Sequence, residues 1–244
     1  QPQADKIAGK RLVEKRRKGG RPQKSKRIGQ TNKQLVPRNG LYLIPARKGG
    51  KGIPYKNRKP LAGRPRIGYS IETALQLTDA ENICVSTDDE EIIRIAEGYG
   101  VQVPFVRPEA LSTDTSGSRE VILHALDHYQ QTGRQFDAVI LLQPTSPFRR
   151  IEDVAGATAL YDDDTDMVVS VKQASANPYY NLFETDEAGF LRISKGEGCY
   201  TRRQEAPPVW EYNGAVYVIR PQTLREKPLA RFERIRKWEM DELH

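Results

Sequence analysis

The run LYLIPARKGGKGIPYKN at 41–57 constrains this chain more than any other stretch. Leu41, Tyr42, Leu43 and Ile44 form an apolar run of the length and type expected for a buried strand. Pro45 and Ala46 end it, and Gly49, Gly50 and Gly52 then fall within four positions. Glycines there let the backbone turn sharply and bring its N–H groups close to a ligand. Arg47, Lys48, Lys51 and Lys56 add four cations on or beside the same loop. A strand feeding bare amides and fixed positive charge suits a polyphosphate, whose oxygens need donors on several sides and whose departing charge must be neutralised. A solvated basic turn between strand and helix is the plainer alternative. The stretch is not a P-loop, because no Ser or Thr follows the Lys at the required spacing, and it does not spell the dinucleotide fingerprint.

Downstream, the pattern alternates strands and helices. Apolar spacing predicts a helix over 67–77, a strand over 82–87, a helix over 90–99 closed by Gly100, and a short edge strand over 101–106. Asp88 follows the second strand at its C-terminal end, where open parallel sheets bind ligands. It is placed to meet a nucleotide or its metal, or to serve as a helix N-cap. Ser116 or Ser118 is expected to cap a helix over 119–131. His124 and His128 lie four apart in that helix but lack a third ligand, so they read as ordinary helix residues. A continuous apolar strand of the doubly covered parallel kind is expected over 138–142, with Gln143 leaving its C-terminal end. A helix over 151–161 and a strand over 167–171 follow. The pattern then changes to Asn, Pro, Tyr and Gly from Lys172 to Tyr212, with a short strand over 189–193, before a strand over 213–218 returns.

Charge is unevenly distributed. Residues 1–38 hold 13 of the 39 Lys and Arg but only Asp5 and Glu14 of the 32 acids, a net of +11 within a whole-chain +7, so the rest of the chain is net acidic. That segment has few large apolar residues and no periodicity, so a disordered basic tail is expected. It is either a nucleic-acid or nuclear-import element or a solvated appendage. No apolar run approaches membrane-spanning length, and the two cysteines, Cys84 and Cys199, give no disulfide or metal framework. A buried, reduced Cys84 suits a reducing compartment, so a cytoplasmic location is expected, or a nuclear one if the tail is an import signal.

Five stretches in order, IPARKGGKGIPYKNRKPLAGRP, ICVSTDDEEI, RPEALSTDTSGS, LLQPTSPFR and RRQ followed by NGAVYV, resemble the acylneuraminate cytidylyltransferases. These enzymes activate sialic acid and related nonulosonic acids as CMP-sugars. The resemblance runs from about Leu41 to His244. It implies an α/β, Rossmann-like nucleotidyltransferase core with a mostly parallel central sheet over 39–172 and 213–244. It also implies an inserted dimerisation and substrate arm over 173–212, making a homodimer. The implied substrates are CTP and a nonulosonic acid, with Mg2+ as cofactor. Arg47, Lys51 and Lys56 would steady the phosphates, and Gly49, Gly50, Gly52, Asn57, Asp88, Arg107 and Ser118 would hold the nucleotide. Gln143 would lie near the reacting hydroxyl. It would face the sugar acid with Arg203, Gln204 and Asn213, whereas Arg149 has a structural alternative.

Three departures accompany the resemblance. Gly50 stands where most relatives carry Ser, and Glu211 where some carry Arg toward the substrate. The sequence ends at His244, before the Asp pair with which relatives hold magnesium, leaving Asp88 as the candidate metal ligand. A C-terminally truncated, weakly catalytic homologue that binds nucleotide or only dimerises is therefore the alternative expectation, and a nucleic-acid module driven by the tail is a third.

Overall fold

The apolar run at 41–44 becomes strand β1 (Gly40–Pro45), buried from Gly40 to Ile44. The computed structural model describes residues 39–49, 53, 55–113 and 115–241. The expected tail and three residues of the glycine loop, Gly50, Lys51 and Gly52, lie outside them. After the loop come a two-residue antiparallel pair, β2 (Pro60–Leu61) and β3 (Arg64–Pro65), and helix α1 (Arg66–Leu77). Then follow β4 (Ile83–Ser86), α2 (Glu90–Gly98), α3 (Ser118–Gln131), β5 (Ala138–Leu142), α4 (Ile151–Ala159) and β6 (Met167–Gln173). A hairpin of β7 (Phe183–Thr185) and β8 (Leu191–Ile193) precedes the long β9 (Trp210–Ile219), α5 (Pro221–Glu226) and β10 (Ile235–Glu239).

The main sheet has the order β10-β6-β9-β5-β1-β4. β1 pairs in parallel with β4 and β5, and β10 with β6, while β9 runs antiparallel to both β5 and β6. The result is a mostly parallel α/β sheet. Continuous apolar strands are required because both faces are covered. Alternate residues of β1 separate accordingly. Tyr42 and Ile44 join Ile67 and Ile71 of α1 and Val154 of α4 on one face. Leu41 and Leu43 join Ile122 and Leu126 of α3 and Leu224 of α5 on the other.

Several expectations are corrected. Residues 101–106 form no strand; their sheet contact is a single parallel bridge between Thr87 and Val106. Pro104 removes a backbone donor within that stretch, and Val106 is 64% exposed, so it has little to gain from pairing. The cap of α2 is Asp89, whose carboxylate accepts from Glu91 N at 3.0 Å, rather than Asp88. Neither Ser116 nor Ser118 caps α3. Its N-cap is Gly117 with no side-chain bond, and Ser116 Oγ instead donates to Ala110 O within the preceding loop. The strand expected over 189–193 is shorter and has a partner in β7. The junction at Asn213 is tied together: its Oδ1 accepts from Ser170 Oγ at 2.6 Å and from Ala215 N at 3.1 Å. Cys84 is buried and Cys199 exposed, both as free thiols. Among the described residues no helix is long and apolar enough to cross a membrane.

Candidate active site

The parallel register brings the carboxyl ends of β1, β4 and β5 to one edge, with Pro45 opposite Ser86 and Leu43 opposite Leu141. A cavity of about 220 Å³ opens there. Arg47 and Gly49 reach it from the loop after β1, and Lys56 and Asn57 from the end of that loop. Arg107 enters from the segment after α2, Thr113, Ser116, Gly117 and Ser118 from the approach to α3, and Gln143 to Thr145 from the turn after β5. The fold thus gathers seven residues singled out by sequence: Arg47, Gly49, Lys56, Asn57, Arg107, Ser118 and Gln143. No side chain caps α3. Its first backbone N–H groups therefore lie at the cavity with the positive end of the helix dipole, an arrangement that favours anions. Pro144, Thr145 and Gly117 line the cavity without having been singled out. The Ser/Thr-rich loop ahead of a helix start was the signal for the last of these.

Each wall is held from behind. Asn57 is buried; its Nδ2 donates to Arg47 O at 3.3 Å and its carbonyl accepts from Ile67 N at 2.9 Å. Arg107 is buried too. Its Nε donates to Ser86 Oγ at 3.0 Å and its Nη2 to Ser86 O. Burial lowers its pKa, with nearby Asp88 opposing and Arg47 adding to the fall. His124 and His128 stack edge-on against Phe105 at 4.6 and 5.1 Å, and the His124 Nδ1 is buried with no hydrogen-bond partner.

Asp88 lies just outside, in an adjoining cavity of about 500 Å³ that shares Gly49 and Thr113 with the first. Its Oδ1 accepts from Lys48 N at 2.7 Å, fixing the start of the loop to the end of β4. Tyr55 lines the same space with φ +53°, a left-handed conformation uncommon for a residue with a side chain. Among the described residues no three His, Cys, Asp or Glu side chains cluster to hold a metal. Asn213 is engaged with Ser170 and Met240 rather than lining the cavity, although its neighbour Gly214 lies beside the Gln143 amide. Arg203 and Gln204 are exposed and do not line it; Arg203 Nη2 donates to Ala174 O at 2.7 Å. Lys51, Gly50 and Gly52 fall outside the described residues.

A mostly parallel α/β sheet with a cationic loop, a buried arginine and an open helix N-terminus at its carboxyl edge defines a nucleotidyltransferase-like protein. The chain belongs to the cytidylyltransferase family, whose model, described as Cytidylyltransferase, matches residues 41–243. It is 37% identical over 178 residues to the CMP-N,N'-diacetyllegionaminic acid synthase of Legionella pneumophila, covering 73% of this chain and 76% of that protein. It is 36% identical over 192 residues to an N-acylneuraminate cytidylyltransferase of Streptococcus agalactiae, covering 77% of this chain but 45% of that longer protein. Among solved structures, a CMP:2-keto-3-deoxy-manno-octonic acid synthetase complexed with CTP superposes with a TM-score of 0.59 at 20% identity, covering 83% of this chain and 90% of that one. That likeness carries the fold alone.

Proposed function

We propose that this chain transfers CMP from CTP to a nonulosonic acid and releases pyrophosphate. The observation that carries this reading is the gathering of Arg47, Lys56, Asn57, Arg107, Ser118 and Gln143 around one cavity at the carboxyl edge of the sheet. The names of the relatives support the acceptor class. In the reaction, the anomeric hydroxyl oxygen of the acid attacks the α-phosphorus and loses its proton, and the bond to the pyrophosphate oxygen breaks. Arg47 and Lys56 meet the charge that builds on the phosphates, together with Lys51 and the glycine amides. Asn57, Arg107 and Ser118 hold the nucleoside. Arg107, whose Nε and Nη2 are engaged by Ser86, has its remaining guanidinium N–H donors for the acceptor edge of cytosine. Gln143 lies where it can orient the sugar acid.

Magnesium, when bound, would neutralise phosphate charge. Mg2+ keeps several waters and takes one or two carboxylates plus substrate phosphates. Asp88, a single carboxylate beside the loop, fits an ion carried in with CTP rather than a resident one.

The proposed assembly is a homodimer. Leu182, Phe183, Phe190 and Leu191 stand exposed in and around the β7–β8 hairpin, an apolar surface that a second copy would cover. Arg203 and Gln204, which do not line the cavity of their own chain, would then serve the partner's. The enzymatic reading is tested by pyrophosphate release from CTP in the presence of N,N'-diacetyllegionaminic or N-acetylneuraminic acid. Arg47→Ala should lower kcat by about 100- to 1,000-fold, as loss of one donor to developing charge does. Release that is absent from the wild type with both acids, or undiminished in the variant, would overturn it.

A further inference from the structure

Arg149 lies at the end of the turn that carries Gln143, yet it is only 5% exposed. Its Nη2 donates to the Gln143 carbonyl and its Nη1 to Ser70 Oγ in α1 at 2.8 Å, while its Nε is buried with no partner. All of these partners are neutral. Burial alone moves its pKa, down to about 10, and no carboxylate offsets it. Buried carboxylates among the described residues are paired: Asp166 with Arg234, Asp89 with Arg58, Asp153 with Arg150. A guanidinium buried among neutral groups is costly, and a neutral side chain of similar size would fill the space at less expense.

The geometry also shows what the group joins. The Gln143 carbonyl takes a second donor from Ser146 N at 3.2 Å, so the root of the Gln143 side chain is clamped from below. One turn before Ser70, Ile67 N donates to Asn57 O, and Asn57 in turn holds Arg47 O. A continuous set of bonds therefore runs from Gln143 through Arg149 and α1 to Asn57 and Arg47. The turn docks on α1 independently as well, since Phe148 packs edge-on against Tyr69 at 5.7 Å. Attachment of the turn does not by itself require Arg149.

We propose that Arg149 is a positioning residue that fixes Gln143 relative to α1, setting the acceptor half of the cavity against the nucleotide half. This rests on the transferase reading above. A buried positive charge with no anion of its own, beneath a cavity for two anionic substrates, also favours their entry.

The test is steady-state kinetics of Arg149→Met and Arg149→Lys, varying CTP and the sugar acid separately, alongside thermal denaturation. KM for the acid should rise roughly tenfold to a hundredfold in Arg149→Met, the scale of a small misplacement of a substrate-facing group. KM for CTP should change little. Lysine keeps the charge and one donor, so Arg149→Lys should recover part of the loss. If Arg149→Met does not fold, the same split between the two KM values is read in Arg149→Lys. An unchanged KM for the acid in the folded variants would overturn the proposal, as would KM values for both substrates moving together with the melting temperature. A wild type inactive with both acids overturns the transferase reading itself; an active wild type with unmoved Arg149 variants overturns only this inference.

Discussion

Asp166, just before β6, is 3% exposed and is surrounded by donors. Its Oδ1 accepts from Arg234 Nη2 at 2.9 Å and Thr223 Oγ1 at 3.2 Å, and its Oδ2 from Arg234 N at 3.0 Å. Burial alone would raise its pKa, but the bonds from Arg234 and Thr223 outweigh it and hold the carboxyl well below the usual range. A depressed folded pKa contributes stability above the unfolded value, about 3.9, and that stability is lost as pH falls below it. Asp166→Ala should therefore cost about 2–4 kcal/mol near pH 7, and the gap from wild type should narrow as denaturant titrations move below pH 4. An equal gap at pH 7 and pH 3 would refute the assignment. Nothing in the local run DDDTDM distinguishes this Asp from its neighbours, because its partners lie far away in sequence. Arg149 was equally opaque: its motif was visible, but its link to Ser70 was not. Asn57, Arg107, Ser118 and Gln143 were more legible, since each lies in a stretch that resembles the family's motifs, and the fold brings them to one cavity.

At the level of elements, α4 lies close against β10 at Gly156. A methyl group there would run into the Trp238 ring. That ring is held in place by Trp238 Nε1 donating to Asp153 Oδ1 at 3.2 Å. Gly156→Ala should destabilise the fold by about 1–3 kcal/mol through overpacking, although alanine is ordinarily the better helix former. Gly98 in α2 has open space around it, and Gly98→Ala should stabilise by about 0.5–1 kcal/mol. Chemical denaturation midpoints moving in opposite directions would confirm the pair. Strands β1 and β5 were legible because burial on both faces leaves an unbroken apolar run, and α1, α2 and α3 because their apolar spacing is regular. Segment 101–106 misled because its valines satisfy the strand pattern while Pro104 and an exposed Val106 leave it a single bridge. Strand β10 was missed since its IRKWE sequence, charged on an edge, carries little of that pattern.

For the molecule as a whole, the proposed dimer makes the hairpin of β7 and β8 a recognition element. Phe190 and Leu191 are 64% and 66% exposed. The double substitution Phe190→Asp, Leu191→Asp should yield a folded monomer by light scattering and lower turnover with the sugar acid, if Arg203 acts in trans. An unchanged mass would place the interface elsewhere. The position of β9 has a further consequence, for synthesis on the ribosome. It lies between β5 and β6, pairing Val139 with Ile219 and Leu142 with Val216. β5 is thus translated long before the strand that closes its edge emerges, an interval on the order of ten seconds at ordinary elongation rates. Through that interval Val139, Ile140, Leu141 and Leu142 present an open apolar edge to other nascent chains. The central antiparallel strand makes this fold one whose yield in the cell depends on how well that edge is shielded until β9 has been made.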